Sequence, residues 1–302
     1  MLLDADRATL YFDLAMDIVH ADRMEWGGSL TAHRAGHMTH KVLFQGEEAS
    51  PDNYLLVLAD ERSDYYSPRH RHPWDQVRCC LEGSIPIGRD LKIGAGEIGY
   101  FPEGVHYGPQ KGGPDRIVLL LQIGGASGLG YLSPGQLAAG RERLLLEGIF
   151  EEGVFKRTRG AGKKNLDAYE AIWREVTGRP LAYPKARYRA PIVLRPDAFS
   201  WQEVPDMFGT RNKWLGSFPE RDLSIELIAI ASGCACTAEA APTRRLVFVT
   251  RGEGRCNAEP YRAYSAMRLQ PGEAATFMAS GTTELVAIGA PPVSAAPQTP
   301  AA

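Results

Sequence analysis

The chain repeats itself, and that duplication constrains its fold more than any single motif does. Ile18-Val19-His20-Ala21-Asp22-Arg23-Met24-Glu25-Trp26 returns, with one residue inserted, as Ile192-Val193-Leu194-Arg195-Pro196-Asp197-Ala198-Phe199-Ser200-Trp201. Lys41-Val42-Leu43 returns as Lys213-Trp214-Leu215, each shortly before an apolar run, Tyr54 to Ala59 in one copy and Ile225 to Ile230 in the other. Val77 to Gly83 matches Leu246 to Gly252, and Leu91 to Glu97 matches Met267 to Glu273. The blocks keep their order, so the sequence predicts two copies of one folding unit.

Within each copy, short apolar or β-branched runs are punctuated by Gly, Pro and Asp. That pattern predicts a compact antiparallel barrel or sandwich, and 302 residues suffice for two such units at about 100–150 residues each. The segment between the copies differs in character. Ser133-Pro134-Gly135-Gln136 opens a helical stretch at Leu137–Leu146, and Thr158–Lys164 has the composition of an exposed loop. Leu166–Val176 predicts a second helix with Tyr169, Ile172, Trp173 and Val176 on one face, and Pro180, Pro184 and Pro191 mark an extended crossing. The expected organisation is a first unit at 1–132, a helical and extended linker at 133–190, a second unit at 191–290 and a disordered tail at 291–302.

Composition narrows the function classes. A net charge of −2 gives no electrostatic reason to expect nucleic acid or an anionic membrane as partner. No apolar run approaches the roughly 18–20 residues of a membrane span. The first residues carry acid early and no basic segment, so no secretory leader is expected. Cys79, Cys80, Cys234, Cys236 and Cys256 form an odd set without a framework spacing. The expectation is reduced thiols in a cytoplasmic protein.

The stretch most informative about chemistry is His70-Arg71-His72-Pro73-Trp74-Asp75-Gln76, followed by Gly83. On a strand, alternation puts His70, His72, Gln76, Arg78 and Cys80 on one face. A second stretch runs from Gly96 through Pro102-Glu103-Gly104 to His106, placing another imidazole after a tight turn.

These two stretches resemble the paired motifs of the cupin superfamily: His-x-His, a nearby Glu and a Gly, then a Gly, a Pro-x-Gly turn and a His. The resemblance implies a mainly β chain of two cupin barrels, each a double-stranded β-helix or jelly roll, joined by a helical linker. Carried over by position, it implies one divalent metal on His70, His72, Gln76 and His106. Iron is the first expectation, with Mn, Ni, Zn or Co also compatible with such ligands. Gln76 stands where the family has Glu, and Gly104 and His106 lie closer together than in the motif. A neutral amide leaves the site formally at +2 and favours anionic, chelating ligands. In the second copy the corresponding positions are Glu239, Ala241, Arg245 and Thr282, so that copy is expected to keep the fold and lack the metal, serving to pack on the first or to form a homodimer.

Further candidates surround the expected metal. Arg78 either holds a substrate carboxylate or enolate or pairs with a buried acid. Gln122 is a polar residue in an apolar strand, and Tyr65, Tyr66 and Trp74 are candidate aromatic walls. The residues expected to touch substrate are Arg78, Gln122 and Tyr66. Cys80 is read as packing, Tyr107 as facing away, and His37 and His40 as solvated. The resemblance implies a dioxygenase acting on a small enolic or carboxylate-bearing substrate. A non-redox isomerase, cyclase or lyase with three His and one Gln is nearly as compatible, and a non-catalytic small-molecule-binding unit is the third possibility.

Overall fold

The computed structural model describes residues 16–28, 38–48, 50, 52–61, 64–113, 116–127 and 130–291. Two large antiparallel sheets dominate it. The first has six strands in the order Ile192–Leu194, Ile98–Phe101, Trp74–Glu82, Ile117–Gly124, Tyr54–Glu61 and Met38–Gln45. The second has seven: Asp17–His20, Ser265–Leu269, Arg245–Arg251, Thr283–Gly289, Leu223–Ile230, Thr210–Phe218 and Gln202–Glu203. Laid side by side, the two orders place the repeated blocks at equivalent positions except for Leu91–Glu97 and Met267–Glu273. Lys92–Gly94 pairs in a separate two-stranded sheet, and Ile98–Phe101 takes the place that Ser265–Leu269 holds in the second unit.

The two units exchange their first strands. Asp17–His20, which chain order assigns to the first unit, pairs with Ser265–Leu269 of the second. Ile192–Leu194, from the second repeat, pairs with Ile98–Phe101 of the first. The equivalence extends to side chains. Lys41 Nζ donates to the Ala21 carbonyl at 2.7 Å and lies over the Trp26 ring, and Lys213 Nζ donates to the Pro196 carbonyl at 2.8 Å and lies over the Trp201 ring.

Alternation along each strand serves two cores at once. Val77 and Cys79 join Leu56, Leu58, Leu119 and Leu121 in a core shared with Leu215, Phe218, Ile225 and Phe248 of the second unit. The opposite faces close each unit's own interior, around Trp74, Cys80, Phe101 and Leu120 in the first and Val247, Met267 and Phe277 in the second. Strands buried on both faces read as nearly continuous apolar runs, as Tyr54 to Ala59 does. The second unit therefore packs face to face on the first.

The linker forms two helices and a sheet. Helix α1 (Pro134–Leu145) starts three residues earlier than its apolar spacing predicted, because Ser133 and Gln136 form a capping box and Pro134 occupies the first turn. Helix α2 (Ala168–Thr177) is capped by Asp167, which accepts from the Tyr169 and Glu170 amides, and ends at Gly178 with φ of 70°. The helices meet at Gly140, where an added Cβ would lie 2.7 Å from Val176 Cγ2 and 2.9 Å from Ile172 Cγ2. The sequence did not announce the three-stranded sheet of Gly148–Glu151, Val154–Arg157 and Asn165–Asp167. The exposed loop expected at 158–164 joins its last two strands.

All five cysteines are free. Among the described residues no helix is long and apolar enough to cross a membrane. His33, His37 and residues 292–302 of the tail lie outside the described residues. His40, expected in a solvated loop, instead sits half-buried in Met38–Gln45, and desolvation lowers its pKa.

Candidate functional site

The inward face of Trp74–Glu82, the preceding His70–Pro73 stretch and the linker enclose a cavity of about 60 Å³ in the first unit. His70, His72, Trp74, Gln76, Arg78 and Gln122 line it, as alternation predicts. Gln122 lies directly across the ladder from Gln76. The His70 and His72 rings meet edge to face with centroids 4.8 Å apart. His70 Nδ1 lies 2.6 Å from the Pro68 carbonyl, which can only accept, so Nδ1 carries a proton, and in the neutral imidazole Nε2 keeps the lone pair. Such a bond orients a ligating imidazole from behind.

His106 is not part of this site. It is exposed, on a surface groove with Arg69 and Arg189, and partial burial followed by the charges of Arg69 and Arg71 lowers its pKa. The reason is register. His70 and Tyr107 form an antiparallel bridge through both backbone bonds, His70 N to Tyr107 O at 3.0 Å and Tyr107 N to His70 O at 2.9 Å. Residues bridged in this way project to the same side of the ladder, so Tyr107 takes the inward position and its neighbour His106 the outward one. Tyr107 is 2% exposed, with its ring 4.4 Å from that of His70. The expectation that Tyr107 faces away is corrected by the same bridge, and the short gap from Gly104 to His106 was the one sequence signal of the shift.

The parity of the tyrosine pair is likewise reversed. Tyr66 is 37% exposed and does not line the cavity, whereas Tyr65 is buried and does. Cys80 is buried among apolar side chains, with its thiol pushed up to about 11 by desolvation, as a packing residue would be. The remaining wall comes from unexpected places: Glu61, whose carboxylate is paired with Arg116 at 3.0 Å, and Leu132, Pro134, Leu137 and Tyr169 of the linker. Tyr169 stands 6.4 Å from the His72 ring, so the linker is a wall of the site as well as a connection.

Arg78 organises the polar floor. Nε and Nη2 donate to Gln76 Oε1 at 3.1 and 3.0 Å, and Nη2 also donates to Tyr107 Oη at 3.0 Å. Tyr107 Oη lies 3.4 Å from the same amide oxygen.

Whether a divalent metal fits depends on this donor set. Among the described residues no three His, Cys, Asp or Glu side chains converge, so the expected three-histidine centre is not assembled. Two imidazoles do converge, with the Gln76 amide and the Tyr107 phenol beside them, and such N and O donors suit first-row divalent metals. The residues fit a metal held by His70 and His72 and completed by Gln76 or Tyr107. The hold of Arg78 on Gln76 Oε1 is the feature that competes with ligation by the amide.

The second unit has a cavity of about 140 Å³ between equivalent strands, lined by Asn212, Glu226, Cys236 and Arg245. Arg245, at the Gln76 position, donates to backbone carbonyls of Ala238, Glu239 and Glu273. All seven histidines of the chain lie at or before position 106.

No family model matches the chain, and no curated protein does. Solved structures do match. A candidate dioxygenase from Nostoc punctiforme aligns with a TM-score of 0.61 at 11% identity, over 93% of this chain and 85% of that one. Oxalate decarboxylase from Bacillus subtilis aligns at 0.53 and 12%, over 91% and 76%. A protein from Geobacillus kaustophilus aligns at 0.52 and 9%, over 92% and 96%. The likeness is one of fold: the chain is mainly β and shares its overall architecture with these structures.

Proposed function

We propose that this chain is a metal-dependent cupin enzyme that acts on a small organic molecule in the first-unit cavity. The observation that carries the reading is the convergence of His70, His72, Gln76 and Arg78 on one enclosed space, with the Tyr107 hydroxyl hydrogen-bonded to Arg78 and Gln76 beside it. The second unit contributes no histidine and serves as packing partner. The likeness to the oxalate decarboxylase of Bacillus subtilis, whose Mn(II) centres have been characterised, supports a divalent metal by analogy of fold.

His70 and His72 would hold a divalent metal, which when bound would supply Lewis-acid or redox chemistry. The chain's own groups do the rest. Arg78, buried and permanently charged, stabilises negative charge that develops on a substrate oxygen. Tyr107 Oη, within reach of both Arg78 and Gln76, is placed to hold or donate a proton. Trp74, Tyr65 and Tyr169 restrict water, which strengthens these electrostatic contacts.

Two reaction classes use such an arrangement. Dioxygenase chemistry on an enolic substrate agrees with the sequence resemblance and with the Nostoc neighbour. Non-redox isomerase or lyase chemistry is favoured by Tyr107, because a protein proton donor beside a buried arginine serves enolisation without an oxidant.

Elemental analysis of protein purified without chelators, with His72→Ala alongside, is the test. About one Fe or Mn per chain, lost in the variant, supports the reading, and turnover of enolisable acids with and without O₂ then separates the two classes. Native protein that takes up no metal after reconstitution overturns the metal-dependent enzyme.

A further inference from the structure

The charge balance of the cavity is incomplete. Arg78 is 6% exposed, yet among the described residues its partners are a neutral amide and a phenol. Glu61 shares the cavity, but its carboxylate is committed to the equally buried Arg116. Among the described residues no carboxylate hydrogen-bonds to Arg78, and Glu61 acts on it only through space while shared with Arg116. The buried guanidinium is therefore incompletely balanced, and a metal on His70 and His72 would raise the positive charge further.

The hydrogen-bonding balance is incomplete in the same direction. Arg78 Nη1, Gln76 Nε2 and Trp74 Nε1 are buried and without an acceptor, and all three side chains line this cavity. Three unpaired donors on adjacent alternate positions of one strand call for an acceptor, and the unbalanced guanidinium calls for an anionic one. The rest of the lining is largely apolar, with Leu120 beside Arg78 on the neighbouring strand, Leu55 one strand further in the same sheet and Leu137 on helix α1. That wall suits a short carbon chain better than an inorganic oxyanion. The volume of about 60 Å³ holds roughly four to six water-sized groups at about 10–15 Å³ each.

We infer that the ligand of this site is a short organic carboxylate of about four to six non-hydrogen atoms, its anionic group held by Arg78 together with the Gln76 amide and the Trp74 indole N–H. The inference rests on the cavity being the functional site of the proposed enzyme, and it names the substrate class.

The test is calorimetric titration of the full chain, metal-loaded and chelator-treated, with pyruvate, pyruvamide, octanoate and inorganic phosphate. Pyruvate is expected to bind both forms, and pyruvamide at least about tenfold more weakly because it lacks the charge. Arg78→Gln abolishes the preference for the acid. Trp74→Phe, which removes the N–H and keeps an aromatic ring, weakens pyruvate severalfold with its melting temperature as the folding control. Equal binding of pyruvate and pyruvamide overturns the inference, as does octanoate or phosphate binding as tightly as pyruvate, or unchanged affinity in Trp74→Phe. The two readings fail separately: native protein that takes up no metal but binds pyruvate refutes only the metal-dependent enzyme, and metal-bearing protein that binds no carboxylate refutes only this inference.

Discussion

Gln76 Oε1 receives two hydrogen bonds from a single side chain, Arg78 Nε at 3.1 Å and Nη2 at 3.0 Å. The pair couples a position that resembles a cupin metal ligand to a buried guanidinium that, among the described residues, no carboxylate hydrogen-bonds. Its neutrality on the Gln76 side leaves Arg78 in need of an anion.

Supplying that anion from the protein should therefore silence the site. Gln76→Glu converts the two bonds into a bidentate ion pair. The variant is expected to melt at or above the wild-type temperature and to bind pyruvate at least about tenfold more weakly. Calorimetry and a thermal melt on the same preparation check both halves.

The histidines separate by parity. His70→Ala and His72→Ala should each lose the bound metal, measured by elemental analysis, while His106→Ala keeps wild-type metal content. Because His106 is exposed, its replacement should change stability by no more than about 0.5 kcal/mol. Loss of metal in His106→Ala would return that residue to the ligand set.

Tyr107 is the corresponding gain. Tyr107→Phe preserves the ring against His70 and removes the hydroxyl that accepts from Arg78. Turnover should fall by about two orders of magnitude, the usual scale for a lost proton donor, with the fold intact by circular dichroism. Full activity in Tyr107→Phe excludes a role for its proton.

Asp75, one residue from Gln76, faces the other way, into the junction between the units. It is 1% exposed, accepts from the Glu103 amide at 2.7 Å and Tyr100 Oη at 3.1 Å, and lies 3.6 Å from Arg221 Nε of the second unit. Desolvation outweighs these partners and raises its pKa from 3.8 to about 7. Between those values the folded chain holds a proton that the unfolded chain has released, so its contribution to stability declines as pH rises from about 4 to 7, by at most about 1.4 kcal/mol per unit. Asp75→Asn should flatten that slope in urea titrations at pH 5 and 8.

At the linker, Gly140→Ala pushes a methyl group into Val176 and Ile172, against contacts of 2.7 and 2.9 Å. The expected loss is about 1–3 kcal/mol by chemical denaturation, despite the better helix propensity of Ala.

The duplication, the β-rich character of each copy, both helices and the inward row His70, His72, Gln76 and Arg78 were legible from sequence alone. They depend on local periodicity: two-residue alternation within one strand, and helical spacing with caps in the linker. Tertiary structure decided what periodicity does not reach. Residues 18–20 and 192–194 carry the same local pattern and would suit either sheet, and only packing of the whole chain puts each in the other unit's sheet. His106 and Tyr107 are equally good strand residues, and alternation says that one faces inward without saying which. That choice follows from the bridge between His70 and Tyr107, 37 residues apart in number, because parity across two strands is set by their pairing register rather than by either strand alone.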